Sequence, residues 1–360
     1  MLHLVTQLLG HGSLILGLIG VLANCIAIAT LTRNKELSSY FFNWLLTTLT
    51  ILDTMFLACG AYEAVKTHFT HSYIMNYLHV EFIHPVRSML MVSSTYMMIV
   101  LSYERYRAVS GTTAYQGNVN DILNPWRHLM TYVVPVLLGS IIFYLPKFWE
   151  LELALVQDPM LNTTIANVTN SSSVMDITFT GRIVSTPLRH NSSYVLWYVT
   201  ILNTLMTSVV PFAALVYLNI KIYLGLQRIL DRRRTLRMRV REQPESATYH
   251  ERVKRNESQT MLLLLIVCVF LFCHALRFVL NMAEIITHES ERKATENGCF
   301  GVQYWMLIAA IFSNFLVYLN SSANLFVYCI ANEHLRGILI NSFTSRFHSL
   351  KEHSNRFCWY

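Results

Sequence analysis

Charge is scarce in this chain. Only 14% of its 360 residues are Asp, Glu, Lys or Arg, whereas 53% are hydrophobic and the mean hydropathy is +0.38. A soluble domain of this length carries nearer a quarter charged residues, so the deficit argues against one. Metal-ligand spacings, a nucleophile elbow and a phosphate-cradling glycine loop are lacking too, which disfavours enzyme chemistry. No internal repeat is evident, which counts against a transporter. Of the seven cysteines only Cys299 is clearly outside an apolar stretch on the extracellular side, so a disulfide framework is not expected. Met1 to Gly12 lack a basic stretch, so the first span is expected to act as an uncleaved signal anchor.

What is present is a series of long apolar stretches. They run from about Ser13 to Thr32, Leu37 to Tyr62, Phe82 to Tyr103, Leu129 to Pro146, Tyr194 to Ile220, Met261 to Leu276 and Val302 to Asn332. Each is near or above the roughly 20 residues that a helix needs to cross about 30 Å of hydrocarbon. The fold class is therefore all-α: an integral membrane bundle of seven helices, forming one domain over residues 1–360.

Basic residues orient the bundle, since Lys and Arg flanking spans stay in the cytoplasm. Most of the 28 fall on one side if the N-terminus is outside: Arg33 and Lys35, Arg105 to Arg127, the run from Lys221 to Arg255, and Arg336 onward. That distribution accounts for the net charge of +7 without a nucleic acid partner. Of six Asn-X-Ser/Thr triplets, four, at Asn162, Asn167, Asn170 and Asn191, cluster in the one long loop between spans four and five, which is outside on the same argument, while Asn256 and Asn320 match elsewhere. The plasma membrane, crossed several times, is the expected location.

Polar side chains at membrane depth cost about 2.5 to 3.5 kcal/mol each for Asp or Arg, so they mark function or helix association. Here they are Asn24 in span one, Asp53 in span two, Ser94 in span three, and Asn320, Ser321 and Asn324 in span seven. Together they could form a hydrogen-bonded cage around one carboxylate. Asn24 and Ser321 read as glue between helices, whereas a lone carboxylate at Asp53 calls for a cation or a proton.

At the inner end of span three stands Glu104-Arg105-Tyr106. With Gly20 to Asn24, Leu49 to Asp53, Pro211 and Asn324 to Tyr328, this order and spacing resembles the rhodopsin-like G-protein-coupled receptors over nearly the whole chain. Tyr144 to Glu150, Leu218 to Ile220 and Phe272 to Arg277 look most like invertebrate receptors for FMRFamide-type neuropeptides. The resemblance implies an extracellular ligand, a short amidated peptide, and a heterotrimeric G protein inside, with arrestin as a further partner. It implies that Arg105 separates from Glu104 on activation, and that Tyr328 swings inward. It further implies that Asp53, Ser94, Asn320 and Asn324 line a sodium-sensitive water pocket, with Asn24 and Ser321 beside it. Glu333 to Phe343, within the 333–360 tail, resembles the amphipathic helix that lies on the membrane after span seven.

This chain departs from the pattern in several places. Val80 stands where a disulfide-forming Cys begins span three, so the second outer loop is expected to lie untethered. His274 and Leu276 replace the Trp and Pro of span six, Leu325 the Pro of span seven, and Asn219 the Tyr of span five. Proline kinks a helix by removing a hydrogen bond and crowding the preceding turn, so straighter sixth and seventh helices are predicted. An atypical receptor with weak coupling, or a chemosensory one, is the alternative these losses leave.

The outer third of the bundle carries the ligand candidates: Glu63, about 15 Å above Asp53, with Glu81, Arg87, Asn203, Arg277, Asn281, Glu284 and Asn314. Mixed carboxylates and guanidiniums there suit a peptide with a basic side chain, Glu63 being its expected partner. Pairing of Glu63 with Arg87 or Arg277 inside the bundle is the other reading.

Overall fold

The computed structural model describes residues 2–33, 41–68, 73–110, 125–157, 179–239, 247–296, 304–331 and 336–337. They contain seven long helical segments and one hairpin. Helix α1 is Leu2–Arg33 and α2 is Phe41–His68. Helix α3 runs as Tyr73–Leu78, a π-helical stretch His79–Ile83, and His84–Ser110. Helix α4 is Pro125–Tyr144, ending in a 3-10 turn Leu145–Trp149. Strands β1, Leu151–Gln157, and β2, Phe179–Ser185, pair antiparallel with Leu151 opposite Ser185 and Gln157 opposite Phe179. Helix α5 starts at Ser192–Tyr194, continues through π-helical stretches Val195–Leu202 and Leu205–Val209, and ends as Val210–Arg239. Helix α6 is Ala247–Glu296, and α7 is Tyr304–Ser322 followed by Asn324–Ala331.

Six of these are long and apolar enough to span a membrane: α1, α2, α4, α5, α6 and α7. Helix α3, along which Glu81, Arg87 and Glu104 lie, is not among them, and it is the central element. It packs against α2, α4, α5 and α6, while α1 closes the ring against α2 and α7. The core is the set of side chains that face α3 and one another, among them Leu45, Leu49, Met97, Leu215, Leu263 and Tyr328. Leu22, Ile142, Phe272 and Ile286 point outward, as lipid-facing apolar groups do.

Close approach of α1 depends on Gly20. A Cβ there would lie 2.8 Å from Leu57 Cδ1 and would collide with Ser322 Oγ, so a side chain would push α1 off α2 and α7.

Irregular backbone is only partly tied to proline: Val195–Leu202 of α5 is π-helical without one, and Pro135 lies inside the unbroken α4. Pro85 and Pro211 each follow a π-helical stretch, His79–Ile83 and Leu205–Val209, which relieves the clash between the proline ring and the turn before it. Helix α6 runs unbroken past Leu276. Helix α7 does not: Ala323 belongs to neither of its pieces, although the segment has no proline. The cause is side-chain competition for backbone carbonyls. Asn24 Nδ2 and Asn324 Nδ2 both donate to the Ser321 carbonyl, at 2.9 and 3.3 Å, and Ser322 Oγ donates to Tyr318 O at 2.7 Å. The ladder resumes with Val327 N donating to Ala323 O at 3.0 Å.

The second outer loop also differs from expectation. Among its described residues it is an ordered hairpin whose base is tied without any cysteine. Glu150, 2% exposed, accepts from Tyr194 Oη at 2.9 Å and Lys147 Nζ at 3.0 Å, and Arg189 Nη1 lies 3.4 Å away. Thr186 N donates to Glu150 O at 3.1 Å, closing the neck of the hairpin. The segment from Glu333 to Phe343 lies outside the described residues apart from Arg336 and Gly337, as do Asn162, Asn167 and Asn170. Asn191 is exposed, and its Oδ1 caps α5 by accepting from Ser193 N and Tyr194 N at 3.0 and 3.1 Å.

Candidate functional site

Asp53 is 2% exposed in the middle of α2, and three helices supply its hydrogen bonds. Ser94 of α3 donates to Oδ1 at 2.7 Å, Ser321 of α7 to Oδ1 at 3.1 Å, and Asn324 of α7 to Oδ2 at 2.7 Å. Asn24 joins from α1 through the Ser321 carbonyl. Five of the six residues expected in the cage are therefore together. Asn320 is the exception: no hydrogen bond joins it to Asp53 among the described residues. It lies one position before Ser321, which a helix turns through about 100°.

The irregular turn of α7 and the carboxylate belong to one arrangement. The break at Ala323 places Ser321 and Asn324 on the same carboxylate, with Ser94 and Asp53 bringing in α3 and α2. Buried charge in such a site is tolerated only while the polar partners stay in place. One turn beyond, Tyr328 is fully buried and its hydroxyl lies 2.9 Å from Thr50 Oγ1 of α2. Thr50 was not legible as a partner, because a threonine that bonds its own helix is the ordinary case, and Thr50 does that too, donating to Leu46 O at 2.8 Å.

At the far end of α3 Arg105 is 3% exposed, stacked 4.1 Å over the Phe42 ring, and donates to Gln259 Oε1 of α6 at 2.7 Å. Glu104 faces the other way, 3.8 Å from Arg107, whose Nη1 also donates to Tyr132 of α4 at 2.9 Å. Arg105 thus ties α2, α3 and α6 together, and Tyr106 packs against the core from the same turn. His274 of α6 is buried and stacked on Phe270, ring centres 4.1 Å apart.

The ligand candidates of the outer half divide into separate groups. Glu63 and Arg87 form an ion pair with 2.5 Å between Oε2 and Nη1, and the guanidinium lies 5.5 and 5.6 Å from the Phe56 and Tyr318 rings. Asn203 accepts from Tyr144 Oη at 2.8 Å, which joins α5 to α4. Glu81 lines a cavity of about 610 Å³ under the hairpin with Phe148, Trp149 and Glu152. Arg277, Asn281, Glu284 and Asn314 share a second cavity of about 280 Å³ between α6 and α7, where Asn281 also donates to Ser208 of α5 at 2.8 Å.

Comparison with known proteins agrees with this architecture. Residues 23–328 match the 7 transmembrane receptor (rhodopsin family) profile. The chain is 24% identical over 340 residues to an FMRFamide receptor of Drosophila melanogaster, covering 92% of this chain and 53% of that one. It is also 24% identical over 346 residues to the FMRFamide peptide receptor frpr-18 of Caenorhabditis elegans, covering 93% and 68%. It thus spans about half the length of the Drosophila relative. With seven helical segments packed around the buried Asp53, an arginine at the end of α3 and that match over most of its length, the chain belongs to the rhodopsin family of seven-transmembrane receptors.

Proposed function

We propose that the chain is a plasma-membrane receptor, N-terminus outside, that takes a short amidated neuropeptide from the extracellular side and activates a heterotrimeric G protein, with arrestin as a further cytoplasmic partner. The observation that carries the reading is the pair of interhelical ties at the two polar levels. Asp53 binds α2 to α3 and α7, and Arg105 binds α3 to α6 through Gln259. Each is a small set of bonds, so a ligand favouring another packing of α6 and α7 shifts the equilibrium between two discrete arrangements. The relatives named as FMRFamide receptors support the peptide class.

The Asp53 site also fits the sodium ion that the family resemblance implies. Asn24 Oδ1 is a buried acceptor with no hydrogen-bond partner, close to the Ser321 carbonyl that its own amide nitrogen reaches. Asp53, Ser94, Ser321 and Asn24 would offer it oxygen ligands, the chemistry that a hard cation prefers. When bound, such an ion would neutralise the carboxylate.

Cells expressing the chain and challenged with a panel of amidated peptides should show a calcium or cyclic-nucleotide response to at least one of them. Arg105→Ala should abolish that response at unchanged surface expression. A full response from Arg105→Ala, or silence of the wild type to the whole panel, overturns the reading.

A further inference from the structure

Two guanidiniums face the interior of the outer half of the bundle, and only one of them is matched. Arg87 has Glu63. Arg277, half-buried on the wall of the 280 Å³ cavity between α6 and α7, has no carboxylate within ion-pair distance among the described residues. The charged and phenolic groups that act on it are Arg87, Tyr144 and Tyr318, none of them an acid ionised at neutral pH. Glu284 lines the same cavity but lies seven residues along α6, about 10 Å further out.

A second polar group in that cavity is unsatisfied. Ser313 of α7 is 2% exposed, and its Oγ has no hydrogen-bond partner. A buried serine on a helix commonly donates to the carbonyl four residues back, as Ser88, Ser102 and Ser140 do here, at 3.1, 2.9 and 2.8 Å. An unmatched guanidinium and an orphaned hydroxyl on opposite walls of one small cavity are two donors that lack an acceptor, and an unpaired charge kept at this depth is costly.

We infer that the α6–α7 cavity is a subsite for a carboxylate of the ligand: an acidic side chain of the peptide, held by Arg277 through charge-assisted hydrogen bonds and by Ser313 Oγ. This deepens the peptide-receptor reading and rests on it. The volume accommodates a side chain and its backbone, not a whole peptide. Arg277 is a binding residue here, and the Glu63–Arg87 pair stays an internal tie.

The test is thermal unfolding of the purified full chain with N-acetyl-aspartate N-methylamide or its asparagine counterpart. The aspartate probe should stabilise the wild type with an apparent affinity roughly tenfold or more above that of the asparagine probe. Arg277→Gln and Ser313→Ala should weaken that preference, and Arg277→Lys should retain part of it. Without probe, Arg277→Gln should be at least as stable as the wild type, since it removes an unmatched cation, whereas loss of a structural ion pair would lower stability. Equal shifts with both probes, an equal shift with sodium acetate at the same concentration, or a less stable Arg277→Gln protein overturns the subsite. None of these readouts needs an agonist, so silence in the peptide screen sinks the receptor reading alone, and equal probe shifts sink the subsite alone.

Discussion

At the scale of single residues, burial and partner decide what a charged group is for, and sequence gives the first better than the second. Asp53 is legible as a buried carboxylate, and its partners Ser94, Ser321 and Asn324 are legible as the polar groups at its depth. Glu63 shows the limit. On the sequence its expected partner is a ligand's arginine and a neighbouring helix the other reading, because which face α3 turns toward α2 is not encoded in spacing. The structure sets Arg87 against it, between Phe56 and Tyr318. Charge reversal Glu63→Arg should therefore lower stability by about 2 kcal/mol, seen as a lower melting temperature and reduced surface expression. The exchange Glu63→Arg with Arg87→Glu should recover most of that loss. If the exchange stays as unstable as the single reversal, the pair is not what holds α2 to α3 there.

At the scale of elements, the seven helices follow from hydropathy, whereas their irregularities follow from local competition that hydropathy does not show. Proline position accounts for the π-helical stretches His79–Ile83 in α3 and Leu205–Val209 in α5, but not for Val195–Leu202. It fails at α7, where asparagine and serine side chains do by hydrogen bonding what proline does by sterics. The outer hairpin is similar: absence of cysteine predicts an untethered loop, yet Glu150 gathers Lys147, Arg189 and Tyr194 at its neck. The signal was present in Tyr144 to Glu150, a motif singled out for its resemblance, but its role depends on residues some forty positions away. The side chain of Glu150 is 3% exposed but Lys147 and Arg189 are 17% and 37% exposed, so Glu150→Ala leaves both cations access to water and costs about 1 to 3 kcal/mol. Limited proteolysis between residues 151 and 190 should accelerate in that variant, while a reducing agent should leave the wild-type pattern unchanged. Protection of the hairpin in Glu150→Ala, or its loss on reduction of the wild type, would contradict the anchor.

At the scale of the molecule, the direction in which the bundle sits follows from how far its helices overshoot the membrane. Fifty residues of α6 extend about 75 Å, against about 30 Å of hydrocarbon, so this helix projects well beyond the bilayer. Its apolar stretch is Ser258–Thr287, and the two extensions differ in charge. Residues 247–257 follow the arginine-rich end of α5, whereas 288–296 carry Glu289, Glu291 and Glu296 against Arg292 and Lys293. In the proposed orientation, in which basic residues are retained in the cytoplasm, the first extension lies inside, with the ends of α3 and α5 where Arg105 meets Gln259. The same orientation puts Asn191 and the hairpin outside. Trypsin applied to intact cells should consequently spare the chain between Asp231 and Arg255, although that stretch is dense in cleavage sites, and should cut it once the cells are permeabilised. Cleavage there in intact cells would turn the bundle over, moving Arg105 to the ligand side and the α6–α7 cavity to the cytoplasm.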